Sequence, residues 1–209
     1  MTSRLGSVGR LAASLCVASV LVVGCGGSLG PPVPTGATEI GGQPMTSAPP
    51  PPQGWSLKEV VPQSQQEAQD AILGYLKRTL AVLPPGTVVD SHGYVGSGQT
   101  AWCEDEPKDP KKAPVHVQAV GDVKVPGDMD PKTLITKIGD AWRSWGWYVF
   151  ERDGFNKPNQ FGYGADGYRL QIEMANPPNY PPTLTAISPC FPGNPDREDL
   201  RFPMVINAQ

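Results

Sequence analysis

The chain lacks most of what marks the common catalytic and nucleic-acid-binding classes. It has only two histidines, His92 and His116, and they stand well apart. It has no excess of positive charge, because 17 Lys and Arg face 20 Asp and Glu for a formal charge of −3. That balance argues against nucleic acid, whose phosphates call for a basic surface. No internal repeat is present. The apolar run Leu11 to Val23 has 13 residues, whereas a helix needs about 20 to cross a bilayer.

A run of that length suits the apolar region of a secretory signal, with Arg4 and Arg10 before it and no acidic residue. It ends Val22-Val23-Gly24-Cys25. This resembles the bacterial lipobox, in which aliphatic or small residues and a Gly or Ala precede the modified Cys. The resemblance implies diacylglycerol transfer to the Cys25 sulfur and cleavage before it. The plainer reading is an ordinary cysteine near a signal cleavage site. Cys16 follows Leu15, too bulky for such a peptidase, and is expected to leave with the signal. Two or three acyl chains hold a protein stably on a membrane. The expectation is therefore a membrane-attached protein with no spanning segment, its signal in residues 1–24.

Residues 25–54 are expected to form the lipidated Cys and a tether. Gly, Pro, Ser and Thr fill 20 of the 29 positions from Gly26 to Gly54. Such a segment cannot bury enough apolar surface to offset its chain entropy. As a flexible coil it would span about 30 Å, with the Pro49–Pro52 run stiffer. Loss of the signal with Arg4 and Arg10 takes the charge from −3 to −5. Residues 55–209 remain, enough for a single domain with one core.

Two cysteines remain in that domain, Cys103 and Cys190. Outside the cytoplasm such a pair is most simply a disulfide. A zinc site is the alternative, but His92 and His116 show none of the clustered spacing that zinc sites have. No metal and no cofactor is expected.

Ser64 to Glu67 fits a capping box. Ala68, Ile72, Leu76 and Leu80 then recur every four residues, predicting a helix from Gln65 to Val82 that Pro84-Pro85 stops. A second helix is predicted from Asp130-Pro131 to Gly146, burying Leu134, Ile135, Ile138, Ala141, Trp142 and Trp145. Strand-like runs are Thr87–Asp90, Thr100–Cys103, Val115–Val125, Trp147–Glu151, Tyr168–Met174 and Thr183–Ser188. Phe202–Ile206 is read as a last edge strand or a short cover. The pattern predicts an α+β fold, a twisted antiparallel sheet of about five strands with two helices on one face.

Candidate chemistry is thin. Gly162 to Gly167 matches G-x-G-x-x-G, but a strand rather than a helix follows, and Asp166-Gly167 suits a hairpin turn. Ser97 sits between glycines without the G-x-S-x-G pattern, and a hydrolase would need His92 or His116 brought beside it. Glu104-Asp105-Glu106 lacks the spacing of a calcium loop. Trp142, Trp145 and Trp147 are read as core, or else as part of an apolar cleft between helices and sheet.

The stretch Gly167-Tyr168-Arg169-Leu170-Gln171-Ile172, followed by Cys190-Phe191 and preceded by Cys103 and the first long helix, resembles the LppA-like lipoproteins of mycobacteria. The resemblance covers roughly residues 64–193. It implies an exported, lipid-anchored α+β domain and carries over no catalytic residue. The expected function is non-catalytic: a domain on the outer face of the cell membrane that binds another envelope protein or lipid. The alternatives are a carrier or sensor of a hydrophobic envelope ligand and, third, a hydrolase acting through Ser97.

Overall fold

The computed structural model describes residues 48–193 and 200–208. The expected signal, Cys25 and the tether as far as residue 47 lie outside the described residues.

The first helix, α1 (Gln65–Leu80), begins where its cap lies: the Ser64 hydroxyl accepts from the Glu67 backbone N–H at 3.1 Å. The Glu67 carboxylate reaches back to the Gln63 N–H at 2.8 Å, so two N–H groups near the helix start find partners. The second, α2 (Pro131–Ser144), starts with Pro at its first position, and Asp130 accepts from the Thr133 N–H at 3.0 Å. No helix among the described residues is long and apolar enough to cross a membrane.

Among the described residues, nine strands form one antiparallel sheet. They are β1 (Val88–Asp90), β2 (Gln99–Trp102), β3 (Pro114–Lys124), β4 (Tyr148–Phe150), β5 (Asn159–Tyr163), β6 (Arg169–Glu173), β7 (Thr183–Ile187), β8 (Phe191–Pro192) and β9 (Val205–Asn207). The main path runs β4-β5-β6-β7-β3-β1-β9, with β2 and β8 also on β3. The α+β class, the two helices and the antiparallel sheet are as expected. The strand number is not: nine replace about five. β8 has two residues and is a strand only because it lies on β3. β9 is three residues paired with β1. β5 runs through Gly162, and glycine weakens the signal of a strand interior.

Eleven-residue β3 holds the sheet together. On one edge it pairs with β7 over Gln118–Asp122 and with β8 at Pro114 and Val115. On the other it pairs with β1 over Asp122–Lys124 and with β2 over Val115–Gln118. Its residues alternate between the faces. Val115, Val117, Ala119 and Val123 join Leu170, Ile172, Leu184 and Ala186 in one core cluster with Ile72 and Leu76 of α1 and Ile138 and Trp142 of α2. The other face carries a separate block of Tyr148, Phe150, Phe161 and Tyr163, against which Ala48 and Trp55 pack.

The wholly buried Trp142 indole needs the missing side chain of Gly162. A Cβ there would lie 2.9 Å from Trp142 Cε3. Gly162→Ala is therefore expected to destabilise the fold by about 1–3 kcal/mol through overpacking. Gly74, exposed inside α1 with open space around it, should do the opposite. Gly74→Ala is expected to stabilise by about 0.5–1 kcal/mol through helix propensity. Urea denaturation of the two variants checks both signs.

Candidate functional site

The expected disulfide is present: Cys103 and Cys190 are bridged, with Cα atoms 6.3 Å apart. Cys103 follows β2 and Cys190 precedes β8, and these strands flank Val115 on opposite edges of β3. The bridge thus ties together β2 and β8 across β3. Beside the sulfurs stands His116, which β3 places one residue further along. Its Nδ1 lies 3.6 Å from Cys103 Sγ. The residue is only 6 % exposed, and its Nε2 is buried without a hydrogen-bond partner among the described residues. Burial pushes the imidazole pKa down, and the positive charge of Arg169 pushes the same way. An interaction with the Gln118 side chain opposes them. His116 is therefore neutral at pH 7, the form that binds metals.

Cys103, His116 and Cys190 each offer one ligand-type atom, and these atoms lie within 4.8 Å of one another. While the disulfide stands, its sulfurs are not thiolates. No sequence spacing announces this cluster, because His116 is 13 residues from Cys103. The signal that could have found it is strand register, since His116 faces Ala101, two residues before Cys103. His92 is elsewhere, its Nδ1 2.6 Å from Asp90 Oδ1, and Asp90 also takes Lys124 Nζ at 2.6 Å. The hydrogen bond from Lys124, with further ones from His92, holds the Asp90 carboxyl well below its usual range.

The three tryptophans have different surroundings. Trp142 is enclosed in the core, its Nε1–H donating to Thr79 Oγ1 at 3.0 Å. Trp147 is buried beneath Tyr75, with ring centres 4.9 Å apart. Trp145 is half-buried, edge-on to Trp147 at 5.6 Å, with the Arg78 guanidinium 4.2 Å from its ring centre. Tyr75 completes this group and donates its hydroxyl proton to Asp166 Oδ2. Burial and the Asp166 charge push the Tyr168 phenol up to about 12. The Gly162–Gly167 motif is the β5–β6 hairpin, and Asp166 serves Tyr75 and the Tyr168 N–H.

Ser97 is committed to the backbone. Its hydroxyl donates to Val120 O at 2.8 Å and accepts from Val120 N–H at 2.9 Å, pinning the Gly-rich loop to β3. Glu104, Asp105 and Glu106 are exposed in the loop between β2 and β3.

Two open depressions have distinct linings. One, of about 500 Å³, lies where Tyr94 and Ser97 of the loop meet Gln99, Gln118 and Val120 on the sheet face opposite the helices. The other, of about 560 Å³, lies among Val123, Val125, Met129, Leu134 and Pro178–Pro182. The tryptophans line neither. Sequence reasoning missed Trp55, whose Nε1–H donates to Tyr163 O at 3.2 Å. The Tyr148 hydroxyl also donates to Pro49 O, so the described chain is docked on the aromatic face before residue 55.

No family model, no curated protein and no solved structure matches this chain.

Two outcomes follow from the bridge and its histidine. Reduction, or replacement of either cysteine by Ala, is expected to cost about 2–5 kcal/mol; melting with and without reductant checks it. The folded-state pKa of His116 lies below its ordinary value of 6.5, so the folded state resists a proton that the unfolded chain accepts. Its contribution to stability is present above about pH 6.5 and is lost as the pH falls towards and through the lower folded value. His116→Gln should flatten that part of the profile, measured as Tm from pH 7.5 to 5.

Proposed function

We propose that the chain is a lipid-anchored binding domain of the cell envelope, held at the extracytoplasmic face of the membrane through Cys25. In this reading it works by contact rather than turnover, and its contact surface is the sheet face opposite the helices. The observation that carries it is the asymmetry of the sheet. The helices and the main core cluster share one face, while the opposite face bears the depression at Gln99, Gln118 and Val120. The attachment supports the same reading, because the chain arriving from the N-terminal side lies against the aromatic block of that face. The resemblance to the LppA-like lipoproteins belongs to this proposal.

A second reading, a carrier or sensor of a hydrophobic envelope ligand, is favoured by the depression that the side chains of Val125, Met129 and Leu134 line. It moves the ligand away from the tryptophans. The hydrolase reading would require Ser97 to leave both of its bonds to Val120.

Two measurements test this. Detergent phase partitioning of the full-length chain should place it in the detergent phase and Cys25→Ala in the aqueous phase or as precursor; equal partitioning contradicts the anchor. Amide chemical-shift mapping with solubilised envelope extract should move Gln99, Gln118 and Val120. Shifts confined to Val125, Met129 and Leu134 would replace the first reading with the carrier.

A further inference from the structure

Buried imidazoles with an unmet nitrogen are uncommon, and each asks for an explanation such as a redox role or a missing ion. His116 is one: Nε2 has no hydrogen-bond partner among the described residues, and Nδ1 lies 3.6 Å from Cys103 Sγ. A disulfide sulfur is a weak acceptor. Nδ1, not the unmet Nε2, stands beside the sulfurs, so a neutral ring with its proton on Nε2 turns the Nδ1 lone pair towards them.

We propose that reduction of the Cys103–Cys190 bridge turns this cluster into a zinc-binding site, with Cys103 Sγ, Cys190 Sγ and His116 Nδ1 as ligands. The inference goes beyond the binding-domain reading and depends on neither the anchor nor the contact face. Its geometric basis is the spacing of the three atoms within 4.8 Å. Zinc takes thiolate at about 2.3 Å and imidazole at about 2.0–2.1 Å, so neighbouring corners of a tetrahedral site lie about 3.5 Å apart. Cys103 Sγ and His116 Nδ1 already stand at 3.6 Å. The two sulfurs have only to separate by roughly 1.5 Å once their bond is broken. Cys190 is exposed, so the fourth corner opens to solvent and takes water. Two thiolates and a neutral imidazole with Zn²⁺ carry no net charge, which suits a partly buried site. Soft sulfur with imidazole is a zinc-type donor set rather than one for calcium or magnesium.

The steps balance. A dithiol reductant attacks the bridge, gives two electrons and two protons, and closes to its own cyclic disulfide, leaving the thiols of Cys103 and Cys190. Zn²⁺ then displaces the two thiol protons as the zinc–sulfur bonds form. Because zinc binds only the reduced form, it must draw the bridge towards reduction and hold it there.

The test uses the full-length chain, reduced with a dithiol under nitrogen and desalted, with Co²⁺ as a coloured substitute for zinc. The reduced chain should bind one Co²⁺ with the intense visible bands of a tetrahedral thiolate site, and one equivalent of Zn²⁺ should abolish them. The oxidised chain should give no such bands. His116→Gln should weaken binding at least about tenfold, while His92→Gln should not change it. Absence of the bands in the reduced chain, or equal titrations for the two histidine variants, would overturn the proposal. A second measurement needs no variant. At a fixed ratio of reduced to oxidised dithiothreitol, added Zn²⁺ should raise the fraction of chain that alkylates at both cysteines after the metal is stripped. An unchanged fraction would overturn the proposal as well.

Discussion

The structure depends on one strand that pairs twice on each edge. β3 is long enough to offer separate stretches to β7 and β8 on one side and to β1 and β2 on the other. Its alternation then assigns two jobs. Val115, Val117, Ala119 and Val123 lie in the cluster shared with the helices, while His116, Gln118, Val120 and Asp122 belong to the other face. A one-residue slip would exchange these sets and place His116 among the helices' apolar side chains. Gly121 helps to fix the register, because a Cβ there would come within 2.6 Å of Val89 Cγ1. The disulfide, the buried imidazole and the loop pinned by Ser97 are all consequences of where β3 lies.

Elements with a strong period of their own were legible in the sequence. The four-residue recurrence of Ala68, Ile72, Leu76 and Leu80 and the caps at Ser64 and Asp130 locate both helices to within two residues at their ends. Alternation locates β6, and the valine-rich run locates β3. Elements that exist only through a neighbour were not legible. β8 has no pattern to read in two residues, and β5 hides its strand character behind a glycine needed by Trp142. The candidate site divides in the same way. The cysteine pair follows from compartment and count, but the presence of His116 beside it is a fact of register across β2 and β3.

Packing also separates residues that look alike in the sequence. Three tryptophans within six positions have a core role, a layered aromatic role and a half-exposed role beside Arg78. The two histidines separate as clearly, one exposed on Asp90 and one buried against sulfur. A domain of this kind has its stability on the helix side and its uncommitted chemistry on the other. That division is the physical basis for proposing a contact surface on the sheet face and redox-linked chemistry at its β2–β8 end.

The claim on which the rest turns is that β3 holds His116 neutral and buried against the sulfurs. A ¹⁵N–¹H correlation of the histidine rings, followed across pH in the oxidised and reduced chain, tests it most directly. The account predicts that the His116 ring stays neutral below the ordinary histidine pKa of 6.5 and that its nitrogen shifts change when the bridge is reduced. A ring that titrates at the ordinary value and does not respond to reduction would contradict it.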